Sequence, residues 1–169
     1  MSNIPEDKPA LTATLKEVKN YLREHYHKGV ECPACSGFVR LYKRSFNASM
    51  AYALLLMYRH RIVQSMDFVH VENLLKRVAV SKNLRGDFHK AVHWSLLEAK
   101  KETHTNGSKR NGYYRLSPDG IKFVEGELSI PSHILIYNGK VQGFSAKKVF
   151  FKDVMKTKFD FVELMKEAV

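Results

Sequence analysis

Four side chains near the N-terminus have the residue types and the spacing of a metal site. Cys32 and Cys35 are the two cysteines of the chain, and His25 and His27 lie just upstream of them. Thiolate sulfur and imidazole nitrogen are the usual ligands of tetrahedral zinc, which needs four of them. One chain could therefore supply a His-His-Cys-Cys set for zinc. This requires the preceding helix to end before His27, because residues two positions apart diverge on a regular helix.

The cysteine segment leaves other arrangements open. Its Cys-Pro-Ala-Cys-Ser-Gly sequence resembles a zinc knuckle, in which a tight turn points backbone N–H groups at the sulfurs. A second copy of the chain could supply the missing ligands in place of the histidines. Two free thiols in a tight turn are the plain alternative. A thioredoxin-type redox site is disfavoured, because that motif opens a helix, whereas the residues after Gly37 have the pattern of a strand.

A second group of side chains has the character of a nucleic-acid interface. Residues 85–100 place apolar side chains at three- and four-residue intervals, which predicts an amphipathic helix from about Asp87 to Lys100. The other positions carry cations and imidazoles, and an α-helix fits the major groove of duplex DNA. The candidates for groove contacts are Lys82, Asn83, Arg85, His89, Lys90 and His93. Trp94 falls in the apolar stripe and is assigned to the core.

A basic tip follows this predicted helix. Residues 104–112 contain two glycines and two asparagines beside Lys109 and Arg110, and the Tyr-Tyr-Arg-Leu sequence after them has the pattern of a returning strand. The order helix, turn, helix, basic hairpin resembles the winged helix-turn-helix proteins of small bacterial or bacteriophage regulators. The WSLLEAK and YYRLSPDGIKFVEG sequences on either side of the tip carry this resemblance, which covers residues 47–127. It implies that Lys109 and Arg110 contact the DNA backbone or a narrow minor groove.

The net charge of +11 is concentrated in the middle of the chain. Residues 32–66 carry five lysines and arginines and no acid, and residues 67–116 carry ten against five acids. Residues 1–31 and 117–169 are nearly neutral. Concentrated positive charge favours a polyanionic partner, and we expect double-stranded DNA. RNA is disfavoured, because the sequence lacks the exposed sheet aromatics of single-strand readers.

The composition disfavours membrane and secreted proteins. No apolar run approaches 18 residues, and the most apolar stretch, 51–58, is followed by Arg59, His60 and Arg61. The N-terminal residues lack the cationic start and apolar block of a secretion signal. Two cysteines do not make a disulfide framework, which favours a reducing, cytoplasmic setting.

The predicted fold class is α+β, with a winged helix-turn-helix core extended at both ends. Residues 1–45 would hold an N-terminal helix and the cysteine knuckle, and residues 46–127 the winged-helix core. Residues 128–169 would add a β-hairpin and a closing helix. The Asn138-Gly139 pair between alternating apolar runs is the strongest turn signal of the chain. We expect these parts to pack as one compact unit.

Several local signals set the expected bounds of the helices. Thr12 or Thr14 could cap the first helix, Asn47 or Ser45 the second, and Ser117 a short helix after the tip. The predicted helices cover about 11–27, 48–61, 70–78, 87–100, a short run after Ser117, and 159–168.

The sequence shows no pattern of convergent catalytic residues. It contains no phosphate-binding glycine loop, no nucleophile elbow and no paired zincin histidines. We therefore expect a protein that is not an enzyme and takes no small-molecule substrate. The expected function is a DNA-binding regulator of transcription, acting alone or as a homodimer. The alternative is a phage-encoded protein-interaction module that inhibits a host nucleic-acid machine through the same basic face.

Overall fold

The computed structural model describes residues 7–64, 67–76, 88–100 and 112–155. They form an α+β fold, as the sequence predicts, with short helices and several small antiparallel sheets. The α-helices are α1 (Leu15–His25), α2 (Ala48–Gln64), α3 (Val71–Lys76), α4 (Pro118–Val124) and α5 (Phe151–Met155), and a 3₁₀ segment spans Phe88–Trp94. The strands are β1 (Val30–Glu31), β2 (Phe38–Val39), β3 (Tyr42–Ser45), β4 (Val69–His70), β5 (Leu97–Ala99), β6 (Tyr113–Leu116), β7 (Ile130–Pro131), β8 (His133–Tyr137), β9 (Lys140–Phe144) and β10 (Lys148–Val149).

The chain separates into two compact units. Within the described ranges, unit 1 consists of residues 1–44 and 135–143, and unit 2 of residues 45–134 and 144–169. This grouping differs from the three predicted segments, because β8 hydrogen-bonds to β3 and so joins most of the second hairpin to the N-terminal residues.

Unit 1 is built on α1, whose start is fixed by a reciprocal cap. The Thr14 side chain accepts a hydrogen bond from the Glu17 backbone N–H, and the Glu17 carboxylate accepts one from the Thr14 backbone N–H. The cap begins the helix four residues later than predicted, and its buried face presents Val18 and Tyr21. The β8–β9 hairpin of the same unit turns at Asn138 and Gly139. Both have positive φ, as a type I′ turn requires, so the predicted hairpin is confirmed.

Unit 2 packs around α2, which is apolar nearly all round and begins where Asn47 caps it. The Asn47 Oδ1 accepts a hydrogen bond from the Met50 backbone N–H at 3.0 Å, which confirms the predicted cap. Edge-to-face aromatic contacts join Phe46 to both Trp94 and Phe123 beside this helix. Trp94 is 6% exposed and its Nε1 donates to the Pro131 carbonyl at 2.7 Å, so its assignment to the core is confirmed.

A three-stranded antiparallel sheet of order β4-β6-β5 lies in unit 2. Leu97 pairs with Leu116, Glu98 with Arg115 and Ala99 with Tyr114. On the other side of β6, Val69 pairs with Tyr114 and His70 with Tyr113. The pairing of β5 with β6 therefore brings the residues that flank 101–111, Lys100 and Gly112, to the same end of this sheet.

The predicted helix from Asp87 to Lys100 is wrong in its extent and type. The described helical residues are a 3₁₀ segment that ends at Trp94, and β5 begins at Leu97. Ser95 has a φ of 60°, a left-handed conformation that stops the helix. Leu96 and Leu97 are still buried, at 0% and 3% exposure. The strand that pairs with β6 thus buries the same apolar residues that had suggested a longer helix.

Smaller differences occur elsewhere. Helix α2 runs to Gln64 instead of ending near Arg61, and the short helix α5 begins at Phe151, directly after β10. The predicted closing helix at 159–168 lies outside the described residues. Among the described helices, none combines the length and the apolar character needed to cross a bilayer.

Candidate nucleic-acid interface

The 3₁₀ segment carries three of the side chains predicted to face DNA. Its buried face consists of Phe88, Ala91 and Trp94, which recur every three residues as a 3₁₀ helix requires. The same period places Lys90 and His93 together on one edge, where both are half-buried. His89 lies on the other edge and is exposed. The structure therefore brings Lys90 and His93 together and separates His89 from them.

The remaining five predicted contacts lie outside the described residues. These are Lys82, Asn83, Arg85, Lys109 and Arg110. Residues 77–87 and 101–111, which contain them, carry six of the ten lysines and arginines of residues 67–116 and two of the five acids. The connections on either side of the 3₁₀ segment and β5 therefore hold most of the positive charge of this region.

The base of the 101–111 connection is fixed by residues for which the sequence predicted no role in binding. The Lys100 backbone N–H donates to the Tyr113 carbonyl at 3.0 Å, and the Val71 N–H donates to the Gly112 carbonyl at 3.1 Å. The Lys100 Nζ lies 5.6 Å from the centroid of the Tyr113 ring, within cation–π range. The His70 ring meets the Tyr113 ring edge-on, at 4.9 Å between centroids.

This row of His70, Tyr113 and Lys100 is a polar and aromatic ledge at the end of the sheet. Gly112 closes it with a φ of +71°, and an added Cβ would lie 2.8 Å from the His70 Nε2. The period-two alternation of β6 could have predicted which face of the sheet carries Tyr113. The contact of Lys100 with the Tyr113 ring could not be predicted, because Lys100 was assigned to the end of a helix instead of to the residue after β5.

At the opposite end of the same sheet, the positive charge of Arg115 is offset by neighbouring carboxylates. The Arg115 Nη2 and Nε lie 2.7 and 2.8 Å from the Glu98 Oε2, and its Nη1 lies 4.0 Å from the Asp67 Oδ2. The Arg115 guanidinium also stacks on the Phe68 ring at 4.9 Å. Arg115, Glu98 and Asp67 line an open pocket of about 260 Å³. The other lining residues are Arg61, Leu116, Pro118 and Ile121. Because its charge is met by carboxylates, Arg115 is a poor candidate for a phosphate contact.

Helix α4 holds the turn between the 3₁₀ segment and β5. The Ser117 Oγ accepts from the Gly120 N–H at 2.9 Å, which confirms the predicted cap, and donates to the Ser95 carbonyl at 2.6 Å. The Ser117 backbone N–H donates to the Leu96 carbonyl at 3.1 Å. A Cβ at Gly120 would overlap the Leu96 carbonyl oxygen. The Ser-Pro-Asp-Gly sequence therefore both starts a helix and fixes where the hairpin stem leaves the core.

The predicted zinc ligands lie in unit 1. Cys32 is buried and Cys35 is exposed, and neither forms a disulfide. The His25 Nδ1 donates to the Tyr21 carbonyl at 2.9 Å, and its Nε2 lies 3.3 Å from the Asp7 carboxylate. Within the described ranges, the set of three ligand groups that converge is Asp7, Glu24 and His25, all partly or fully exposed.

The structure thus does not bring the predicted His-His-Cys-Cys set together. His27 is exposed and packs edge-on against Tyr26. The two cysteines share the β1–β2 turn, and neither belongs to the group in which His25 converges with Asp7 and Glu24.

Comparison with known proteins adds no assignment. No family model matches the chain, and neither a similar curated sequence nor a similar solved structure was found.

Proposed function

We propose that this protein is a double-stranded DNA-binding regulator, and that unit 2 has the winged-helix arrangement. The observation that carries the proposal is the β4-β6-β5 sheet, in which the basic residues 101–111 are the sequence between the paired strands β5 and β6. The preceding order, α2, β4, α3, a basic connection and then the 3₁₀ segment, is the one expected for that arrangement. The proposed binding surface consists of the 3₁₀ segment and the two basic connections.

The charges of this surface suit a polyanion better than a protein partner. Phosphate contacts supply most of the affinity of such interfaces, and they are made by lysine and arginine side chains that adapt to the duplex. The 77–87 and 101–111 connections carry six such residues, whereas the Arg115 guanidinium is held by carboxylates at the other end of the sheet. Lys100 beside Tyr113 marks the point where the chain enters the basic connection.

Base discrimination would depend on few side chains. A seven-residue 3₁₀ segment is about 14 Å long, shorter than the predicted recognition helix. Lys90 and His93 share one edge of it and can both donate hydrogen bonds to acceptors in the major groove. We therefore expect a modest sequence preference on top of a strong, salt-dependent affinity for any duplex.

The test is the binding of a fluorescent random duplex measured by anisotropy at several salt concentrations. Replacing Lys109 and Arg110 by alanine should weaken binding about tenfold and lower the slope of log K against log salt by about 0.9 for each phosphate that is no longer neutralised. The control replaces Lys147 and Lys148, which are exposed in the same unit, and removes the same charge. Equal affinity of the two variants would refute the proposal.

A second measurement addresses the 3₁₀ segment. Lys90→Ala and His93→Ala should each reduce the preference for the best sequence selected from a random pool, with a smaller effect on random duplex. A stoichiometric protein partner that survives nuclease treatment, with no binding to purified duplex, would instead support the alternative of an inhibitor that acts on a nucleic-acid machine.

A further inference from the structure

The two cysteines lie at the turn of the β1–β2 hairpin in unit 1. Val30 pairs with Val39 and Glu31 with Phe38, so the strands are short and the turn begins at Cys32. The Cys32 backbone N–H donates to the Gly37 carbonyl at 2.8 Å, and the Ser36 N–H donates to the Cys32 carbonyl at 2.9 Å. Ser36 has a φ of 57°, which closes the turn. Both of these hydrogen bonds lie within the turn itself.

The turn directs hydrogen-bond donors at the first sulfur. The backbone N–H groups of Ala34 and Cys35 both donate hydrogen bonds to the Cys32 sulfur. Donors placed in this way stabilise a thiolate, which is the form that binds metal ions. The tight Cys-Pro-Ala-Cys turn predicts this orientation, and the structure contains it.

The described part of unit 1 offers this turn no further ligands of its own. The three ligand groups that converge there are Asp7, Glu24 and His25, a set without sulfur. His25 uses one ring nitrogen on the Tyr21 carbonyl and the other on Asp7. The whole sequence has no third cysteine. A tetrahedral soft metal ion held by Cys32 and Cys35 would therefore keep two positions open.

One of the two cysteines is accessible to solvent, whereas Cys32 is buried. Cys35 is exposed, and Phe38, the first residue of β2 after the turn, is 65% exposed. A second identical turn would supply the two missing sulfurs. Zn²⁺ with four thiolates carries a net charge of −2, and residues 32–44 contain Arg40, Lys43 and Arg44 with no acid.

We propose that two copies of this chain share one zinc ion, each supplying Cys32 and Cys35. On binding, four thiols release their protons to the solvent and four sulfur–zinc bonds form, with no change of oxidation state. The site is independent of the proposed function, since it lies in unit 1 and uses none of the residues of the proposed DNA surface. A dimer formed here would nevertheless place two such surfaces in one particle.

The experiment titrates metal-free, reduced protein with Zn²⁺ and follows both metal content and molar mass by light scattering. The expected result is half an equivalent of tightly bound zinc per chain and a mass that doubles from 19.5 kDa, both reversed by a chelator. Substitution by Co²⁺ should give strong thiolate-to-cobalt charge-transfer absorption and the visible bands of a four-sulfur tetrahedral site. One zinc per monomeric chain, or no binding at micromolar zinc, would overturn the proposal.

Matched variants separate the shared site from a site within one chain. Cys32→Ser and Cys35→Ser should each abolish zinc binding and the doubled mass, whereas His25→Gln and His27→Gln should leave both unchanged. If the histidine variants lose zinc, the ion is held by the His-His-Cys-Cys set and the shared site is wrong. The metal-free cysteine variants should unfold at the temperature of metal-free wild-type protein and bind duplex DNA as it does. A protein that keeps its fold but loses zinc therefore reports on the site alone.

Discussion

Two hairpins of this protein carry the side chains of chemical interest, and they are held in different ways. The β1–β2 hairpin of unit 1 has two-residue strands, and its turn is fixed by its own backbone hydrogen bonds at Cys32. The β5–β6 hairpin of unit 2 is fixed at its stem by another element, through Ser117 and Gly120 at the start of α4, and also by the Arg115–Glu98 ion pair between its own strands.

The difference matches the chemistry proposed for each. A metal ion requires sulfur atoms placed within a fraction of an ångström, so a turn that orders itself is suited to it. Phosphates are met by long, flexible cations, so a hairpin needs only a firm stem from which such residues project. Zinc binding should therefore be sensitive to substitutions within the β1–β2 turn. DNA binding should be sensitive to substitutions at the stem of the β5–β6 hairpin, even though the stem residues do not contact DNA themselves.

The largest expected effect comes from Gly120→Ala. The new Cβ would overlap the Leu96 carbonyl oxygen, so α4 or the turn must move, and the free energy of unfolding should fall by about 2–3 kcal/mol. Urea denaturation measures the change in the free energy of unfolding. Relative to wild-type protein, the variant should lose more hydrogen-exchange protection in β5 than in β1 and β2. The control is Gly143→Ala, whose Cβ would meet the Leu135 side chain at 3.7 Å, an ordinary contact. Equal stability of the two variants would contradict this account of the stem.

Ser117→Ala should have a smaller effect of the same kind. It removes the cap on the Gly120 N–H and the donor to the Ser95 carbonyl, which costs about 1–2 kcal/mol. The control is Ser45→Ala, at an exposed serine of the same unit, which should change stability by less than about 0.5 kcal/mol. A comparable destabilisation in both variants would show that the Ser117 hydroxyl does not hold the turn.

The ion pair at the stem should contribute less than either. The Arg115 and Glu98 side chains are 40% and 42% exposed, so a double-mutant cycle with Arg115→Met and Glu98→Gln should give a coupling below about 1 kcal/mol that declines with salt. A larger coupling that is insensitive to salt would mean that the pair is shielded from solvent and contributes more to the stem than its exposure indicates.

The smallest effect concerns the far end of α4. The Tyr58 hydroxyl donates to the Glu125 carboxylate at 2.7 Å, and burial, followed by this hydrogen bond, raises the pKa of Tyr58 to about 12. Because the folded protein favours the protonated phenol, this contribution is complete below pH 10 and disappears as the pH rises toward 12. Wild-type protein should be slightly more stable than Tyr58→Phe at pH 9, and the difference should vanish between pH 10 and 12. Parallel pH profiles for the two proteins would rule this out.

Local signals in the sequence predicted much of the fold correctly. Thr14, Asn47 and Ser117 each cap the helix that follows them, because a short oxygen-bearing side chain can bond the first free N–H groups of that helix. Asn138 and Gly139 form the predicted turn, because both accept positive φ. In each case the deciding interaction lies within a few residues along the chain.

The prediction was wrong where distant residues decide. Phe88, Ala91 and Trp94 suit a helix of either type, and Leu96 and Leu97 are buried as well by a strand as by a helix. Only the pairing of Leu97–Ala99 with residues near Tyr114, and the hold of Ser117 on Ser95, select the strand. The contacts of the His25 ring with Asp7 and the Tyr21 carbonyl are a further feature that the spacing of the sequence does not reveal.

By itself, the sequence determined the α+β class, the helix caps, the Asn-Gly hairpin and the concentration of positive charge between residues 32 and 116. These depend on composition and on contacts between near neighbours, which a linear pattern records. The tertiary structure alone decided that the basic connection leaves from a ledge of His70, Tyr113 and Lys100, that Arg115 is neutralised, and that the two cysteines stand apart from His25. Each of these outcomes is a contact between residues that are distant in the sequence or that have several possible partners. The packing of the whole chain selects the partner, and a linear pattern does not record it.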